Sequence, residues 1–175
     1  MIKLDIQLFG GRGASSSPTQ RQGFGWANKD GIPVYNGKID YTGDFTGANL
    51  SRMSDKQLRE AIDKQSDLYI EAINEKLGDQ RTRNGRMDKI FNEAKKSRHE
   101  GSMKALNEEM EKRNLARYNV YSKDNKKVIL VSSPTKKIAE RQLGEMARVD
   151  RSLQREYGWN KLPEYVIKRE KKRMK

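Results

Sequence analysis

With 175 residues, 35% of them charged, and a mean hydropathy of −1.03, the chain is polar for a compact globule yet long enough for one ordinary domain with tails. The formal net charge of +13 lies in residues 78–175, where 27 basic side chains outnumber 14 acidic ones, and such a half points to a polyanion, DNA or RNA. Zero cysteines exclude a disulfide framework and thiolate zinc sites, and no apolar run approaches the ~20 residues that span a bilayer.

The opening MIKLDIQLFGGRGASSS alternates strictly. Ile2, Leu4, Ile6 and Leu8 share one face of an extended segment ending at Phe9, and Gly10, Gly11 and Gly13 then end it. Lys3, Asp5 and Gln7 interrupt what would be the apolar stretch of a signal peptide, so the chain is expected in the cytosol or in something assembled there. A strand without a hairpin partner nearby is either disordered or pairs elsewhere. GGRGASSS followed by RQGFGW also interleaves arginine, glycine and aromatics as single-strand-binding tracts do, although a flexible linker is the stronger reading. Residues 10–50 hold nine of the fourteen glycines and read as tail and loop, with a ribbon at IPVYNGKIDY turned by Asn36-Gly37. Phe24, Trp26, Tyr35, Tyr41 and Phe45 suggest that the later part docks on something apolar.

A first helix is predicted from Ser54, with Gln57 completing a capping box and Met53 and Leu58 a hydrophobic staple. Its stripe is Leu58, Ala61, Ile62, Tyr69, Ala72 and Ile73, and Gly78 stops it near Leu77. A second helix is predicted over about 80–98, with Met87, Ile90, Phe91 and Ala94 as its apolar side. A third follows from about Ser102 to Leu115, burying Met103, Leu106 and Met110. RYNVYSKDNKKVILVSS predicts a β-hairpin with strands near 118–122 and 127–132. Ser133-Pro134 then reads as N-cap and first residue of a long helix to Tyr157, stopped by Gly158, with a short basic helix closing the chain. The fold class is therefore α+β: mainly helical, one β-hairpin packed on a long amphipathic helix, and a flexible N-terminal tail. Three regions follow: tail and loop 1–50, helical region 51–116, and hairpin, basic helix and basic tail 117–175.

The helix 135–157 carries the main candidate site. Lys137, Arg141, Arg148, Arg151 and Arg155 fall within about 40° of one line, with Gly144 inside it, while Ala139, Leu143, Met146, Leu153 and Tyr157 lie opposite. Arginine forks onto phosphate oxygens, and a glycine in the line lets a backbone approach. A second basic group comprises Arg81, Arg83 and Arg86 with Lys89, Lys95, Lys96 and Arg98. The tail KREKKRMK, with Lys171 and Lys172, reads as an electrostatic arm. Charged helix faces also arise simply as solvated surface.

Catalysis finds little support. His99 is the only histidine and is read as a polar helix-end residue favoured by the macrodipole. Glu170 and Lys172 form an E-x-K in a charged tail, without the buried strand and upstream acid that nuclease chemistry needs. No glycine loop has the lysine and following helix of a P-loop. The expectation is a protein without enzymatic activity, cofactor or metal.

MIKLDIQLFGGRGASSS resembles the N-termini of small proteins of bacteriophages and prophages of Gram-positive bacteria, which begin with a Leu-x-Leu-Gln-Leu-Phe-like segment followed by Gly-Gly-Arg-Gly-Ser. The match covers 17 of 175 residues. YNVYSKDNKKVILVSS and RSLQREYGWNKLPEY also look like parts of a phage protein module, with no functional residue attached. The resemblance implies a late-gene product associated with capsids or minor head proteins, located in the host cytoplasm or the virion. Ile2, Leu4, Ile6, Leu8 and Phe9 would then form an assembly segment that adds as a strand to a phage structural protein. The competing expectation is an anti-defence protein of the anti-CRISPR type, binding a host Cas nuclease or its nucleic acid.

Overall fold

The computed structural model describes residues 20–22, 25–125, 127–158 and 162–171. The assembly segment Ile2–Phe9, the GGRG stretch and Lys172 lie outside the described residues. The architecture is α+β. Four short strands, β1 (Gln20–Gln22), β2 (Gly25–Ala27), β3 (Pro33–Tyr35) and β4 (Lys38–Ile39), form an antiparallel meander. A 3₁₀ turn (Leu50–Arg52) leads into α1 (Asp55–Asn74), and α2 (Arg83–Lys112) packs back along it. Then come β5 (Arg117–Ser122), β6 (Ile129–Ser133), α3 (Lys136–Tyr157) and β7 (Tyr165–Glu170), the strands making a second antiparallel sheet in the order β6-β5-β7.

Local chemistry explains most boundaries. Asn36 and Gly37, both at positive φ, turn β3 into β4 as the dipeptide predicts. The Ser54 hydroxyl accepts from the Gln57 amide, and the Gln57 side chain accepts from the Ser54 amide at 2.7 Å, closing the capping box. Met53 and Leu58 are both buried in the core, as a staple requires. Gly158, at φ 66°, ends α3, and its amide donates to the Gln154 carbonyl.

The core joins α1 and α2 to the segment before them. Ile32, Phe45, Leu50 and Met53 pack with Leu58, Ala61, Ile62, Leu106 and Met110. The later part of residues 10–50, read as tail and loop, is therefore fixed: Phe45 is fully buried, and Tyr41 packs beside it. The Phe45 amide donates to Ser102 Oγ at 3.0 Å.

Several expectations need correction. The predicted second and third helices are one 30-residue helix, α2. Gly101 lies within it: a Cβ there would come within 3.2 Å of Thr46 Oγ1, so the glycine admits the 44–46 loop against the helix. Ser102, expected near the start of the third helix, lies inside α2, where its hydroxyl accepts from the Phe45 amide and donates to Asp44. At the other end, Gly85 is buried where the backbone of Asp79 crosses it, so close that a Cβ would sit 2.0 Å from the Asp79 carbonyl oxygen. The first helix ends at Asn74, before Leu77. Thr135, not Ser133, caps α3, its hydroxyl accepting from the Ile138 amide.

The largest correction is at the C-terminus. The expected basic helix and arm is a strand as far as Glu170, paired along its whole length with β5 from Arg117↔Glu170 to Ser122↔Tyr165. Glu170 of the E-x-K accepts from Asn119 Nδ2 at 3.1 Å and from the Tyr121 hydroxyl, so it is a sheet-face acceptor.

Candidate nucleic-acid interface

α3 lies across the second sheet and the middle of α1. Its packed side has the predicted phase. Ala139 is fully buried, Leu143, Met146 and Leu153 are half-buried, and Asp150 accepts from the Tyr165 hydroxyl of β7 at 2.6 Å. Burial first and then that carboxylate push the Tyr165 phenol up to about 12. Gln142 accepts from Ser133 of β6. Tyr157, at the end of the same side, is exposed.

The opposite side is split by α1. Asp67 receives both Lys137 and Arg141, and Arg141 also donates to Ser66 Oγ at 3.0 Å. Burial pushes the Asp67 carboxyl up, but hydrogen bonds from Lys137 and Arg141 outweigh this and hold it below the usual carboxylate range. Asp63, one turn earlier, accepts from the Thr135 hydroxyl; burial dominates there and pushes its carboxyl up. Lys137 and Arg141, read from the sequence as the start of a phosphate-tracking stripe, are thus engaged in docking α3 onto α1. The signal for this was Asp63 and Asp67, four apart on α1 and so on one face.

Arg148, Arg151 and Arg155 remain. All three are exposed, and none has a partner among the described residues. Glu145, Asp150 and Glu156 fall off their line, and none of them is paired with these arginines. From Arg148 to Arg155 the helix rises about 10 Å. Over that length one DNA strand carries about three phosphates. Gly144 extends the line, exposed, with nothing within 4 Å of where a Cβ would stand. Gly144→Ala is therefore expected to raise stability by about 1 kcal/mol in urea unfolding, the ordinary helix-interior difference.

The other predicted cations are scattered. Arg81 and Arg83 are exposed at the entry to α2, and Arg86 donates to the Arg81 carbonyl at 3.2 Å. Lys95 pairs with Glu75 and Lys96 with Glu93. Lys171 is exposed just after β7. On β7, Lys168 lies over the Tyr121 ring at 5.4 Å and Arg169 over Tyr118 at 6.0 Å. The entry to α2 packs against α1 and the turn before it, so these residues do not join the α3 face in one packed unit.

His99 requires correction as well. It is buried within α2, its Nδ1 2.7 Å from Gln65 Oε1, and not at a polar helix end. Because Gln65 Nε2 donates to the carbonyls of Tyr41 and Gly43, Oε1 must accept, which assigns the imidazole proton to Nδ1. Among the described residues no group of three or more His, Cys, Asp or Glu side chains is placed to hold a metal ion, and no helix is long and apolar enough to cross a membrane.

The sequence also gave no hint of the clamp at Arg59, whose guanidinium donates to the carbonyls of Pro134 and Ala116 and ties α1 to the second sheet. No family model matches the chain, and no curated protein or solved structure matches it.

Proposed function

We propose that this is a non-enzymatic protein of phage or prophage origin that binds nucleic acid through phosphate contacts and joins a larger assembly, the virion or its precursor. The observation that carries the nucleic-acid part is the exposed, unpaired row Arg148, Arg151 and Arg155 on the side of α3 turned away from the sheet. Guanidinium groups held on a rigid helix and paired with no carboxylate among the described residues are forks for phosphate oxygens. Such contacts position the protein without reading sequence. The phage origin and assembly role rest on the N-terminal resemblance, and there Ile2, Leu4, Ile6, Leu8 and Phe9 supply the strand-addition segment.

The test replaces Arg148, Arg151 and Arg155 together by glutamine. The fold should be kept, because the three side chains support nothing. The log–log salt slope of duplex DNA binding should fall by about three units, with similar weakening across sequences. Lys137→Gln with Arg141→Gln is the contrast: it should loosen the α1–α3 contact and leave the slope nearly unchanged. Absence of DNA or RNA binding at ~50 mM salt would overturn the reading, since phosphate contacts are strongest at low salt. If the triple variant instead lost binding to a purified host nuclease while DNA binding stayed unchanged, the same arginines would belong to an anti-defence protein interface.

A further inference from the structure

The N-terminal half of α2 is inside out. Towards α1 and the loop before it, this stretch presents Gly85, Asn92 and His99, the last two hydrogen-bonded to Ala72 and Gln65. On its other sides it presents Met87, Ile90, Phe91 and Ala94, at helical spacings of three and four and all exposed. Ile90 is 59% and Phe91 58% accessible. Beside this seam a groove of about 560 Å³ runs between the helix and the end of α1, with Leu77, Phe91 and Ala94 among its lining. A monomer has no use for large apolar side chains on the outer face of a helix whose inner face is polar.

We infer that this seam is the docking site for an acidic amphipathic helix of another protein. Charge selects the occupant. The groove is lined by Glu75, Asp88, Lys76, Lys95 and Arg98, and Arg83 and Arg86 continue it towards the helix start. Five cations thus flank the apolar strip against Glu75, Asp88 and the exposed Glu93, and Lys95 already holds Glu75 as Lys96 holds Glu93. A second copy of the chain fits poorly. Antiparallel pairing centred on Ile90 and Phe91 sets Arg83 against Arg98 and Arg86 against Lys95, and parallel pairing sets each cation against itself. A helix with leucines at i, i+3, i+4 and i+7 and glutamates flanking them meets both features. This inference stands apart from the arginine row on α3 and survives its failure.

The test uses the full chain and a fluorescein-labelled peptide of that design, against a scrambled peptide of identical composition. Only the patterned peptide should bind saturably in anisotropy titrations. Ile90→Ser with Phe91→Ser should weaken it about tenfold or more, with the thermal midpoint unmoved because both side chains are exposed. Arg83→Glu with Arg86→Glu should weaken the glutamate peptide and strengthen its lysine counterpart. Equal binding of patterned and scrambled peptides would overturn the proposal. So would sedimentation showing a dimer that the serine variant dissolves, which makes the occupant a second copy. Displacement of the patterned peptide by duplex DNA in the triple-glutamine variant would assign the seam to nucleic acid, and a large drop in midpoint for the serine variant would make it part of the fold.

Discussion

Replacing Phe45 by alanine is expected to lower the unfolding free energy by about 3–5 kcal/mol. The ring is fully buried among Leu50, Met53, Leu58, Ile62, Leu106 and Met110, so truncation loses its transfer energy and leaves a cavity. The backbone around it is also held: its own amide donates to Ser102 Oγ, and Ser102 donates to Asp44 Oδ1 at 3.2 Å. The hole therefore cannot close by moving the loop without breaking those bonds. Against a typical total of about 5–15 kcal/mol, the loss is large enough to populate the unfolded state in mild denaturant. Urea unfolding followed by circular dichroism reads it directly. Tyr35→Ala, at an exposed ribbon position, is the control and should cost little. A loss below about 1 kcal/mol at Phe45 would show that α1 and α2 hold together without the segment before them.

Gln65→Leu should be nearly as damaging, for an electrostatic reason. The side chain is fully buried and serves three groups at once, donating to the carbonyls of Tyr41 and Gly43, both at 2.8 Å, and accepting from His99. Leucine fills similar space but leaves two carbonyls and an imidazole N–H without partners in the interior. Each such group costs about 1–3 kcal/mol, so the expected loss is about 3 kcal/mol or more. The same network makes stability depend on pH. Burial, and then the Arg98 guanidinium, hold the His99 imidazole below its ordinary value; Lys95 adds to this, while Asp44 and Glu71 oppose it. The unfolded chain therefore takes up the proton first. Stability is full above about pH 6.5 and falls as the pH drops below it towards the lower folded value, with a slope approaching one proton. His99→Gln should flatten that part of the profile, well above the range where carboxylates titrate. A wild-type profile already flat between pH 5 and 7 would contradict the assignment of a neutral, buried His99.

Elements built from near neighbours were legible in the chain. The capping box of Ser54 and Gln57, the Asn36-Gly37 turn, the β5–β6 hairpin and the Gly158 stop each depend on contacts within a few residues. The phase of α3 was legible too, because an apolar line opposite a basic one has a single way to lie on a sheet. What failed was every reading that assumed a side chain's job from its type. The stretch 99–101 looked like a gap between two helices, His99 like a polar helix end, and Met87, Ile90 and Phe91 like the apolar side of the first of them. Their roles are set by Thr46, Gln65 and the polar α1 face, which lie tens of residues away in sequence. Tyr165, Val166 and Ile167 did carry β-propensity, but the basic residues beside them suggested an arm.

By itself the sequence determined the α+β class, the capping box of α1, the Asn36-Gly37 turn, the Gly158 stop, the concentration of positive charge after residue 78, and the line on which the arginines of α3 stand. These follow from local hydrogen bonding, backbone preference and periodicity, all short-range. Only the tertiary structure decided which of those charges are free. Asp67 takes Lys137 and Arg141, and nothing among the described residues takes Arg148, Arg151 or Arg155. It alone also decided that β7 completes the sheet on the free edge of β5, and that the apolar side of the first turns of α2 faces outward. Ion pairing and burial depend on which surfaces meet in space, and contacts between residues 67 and 141, or 119 and 170, have no local signature to read.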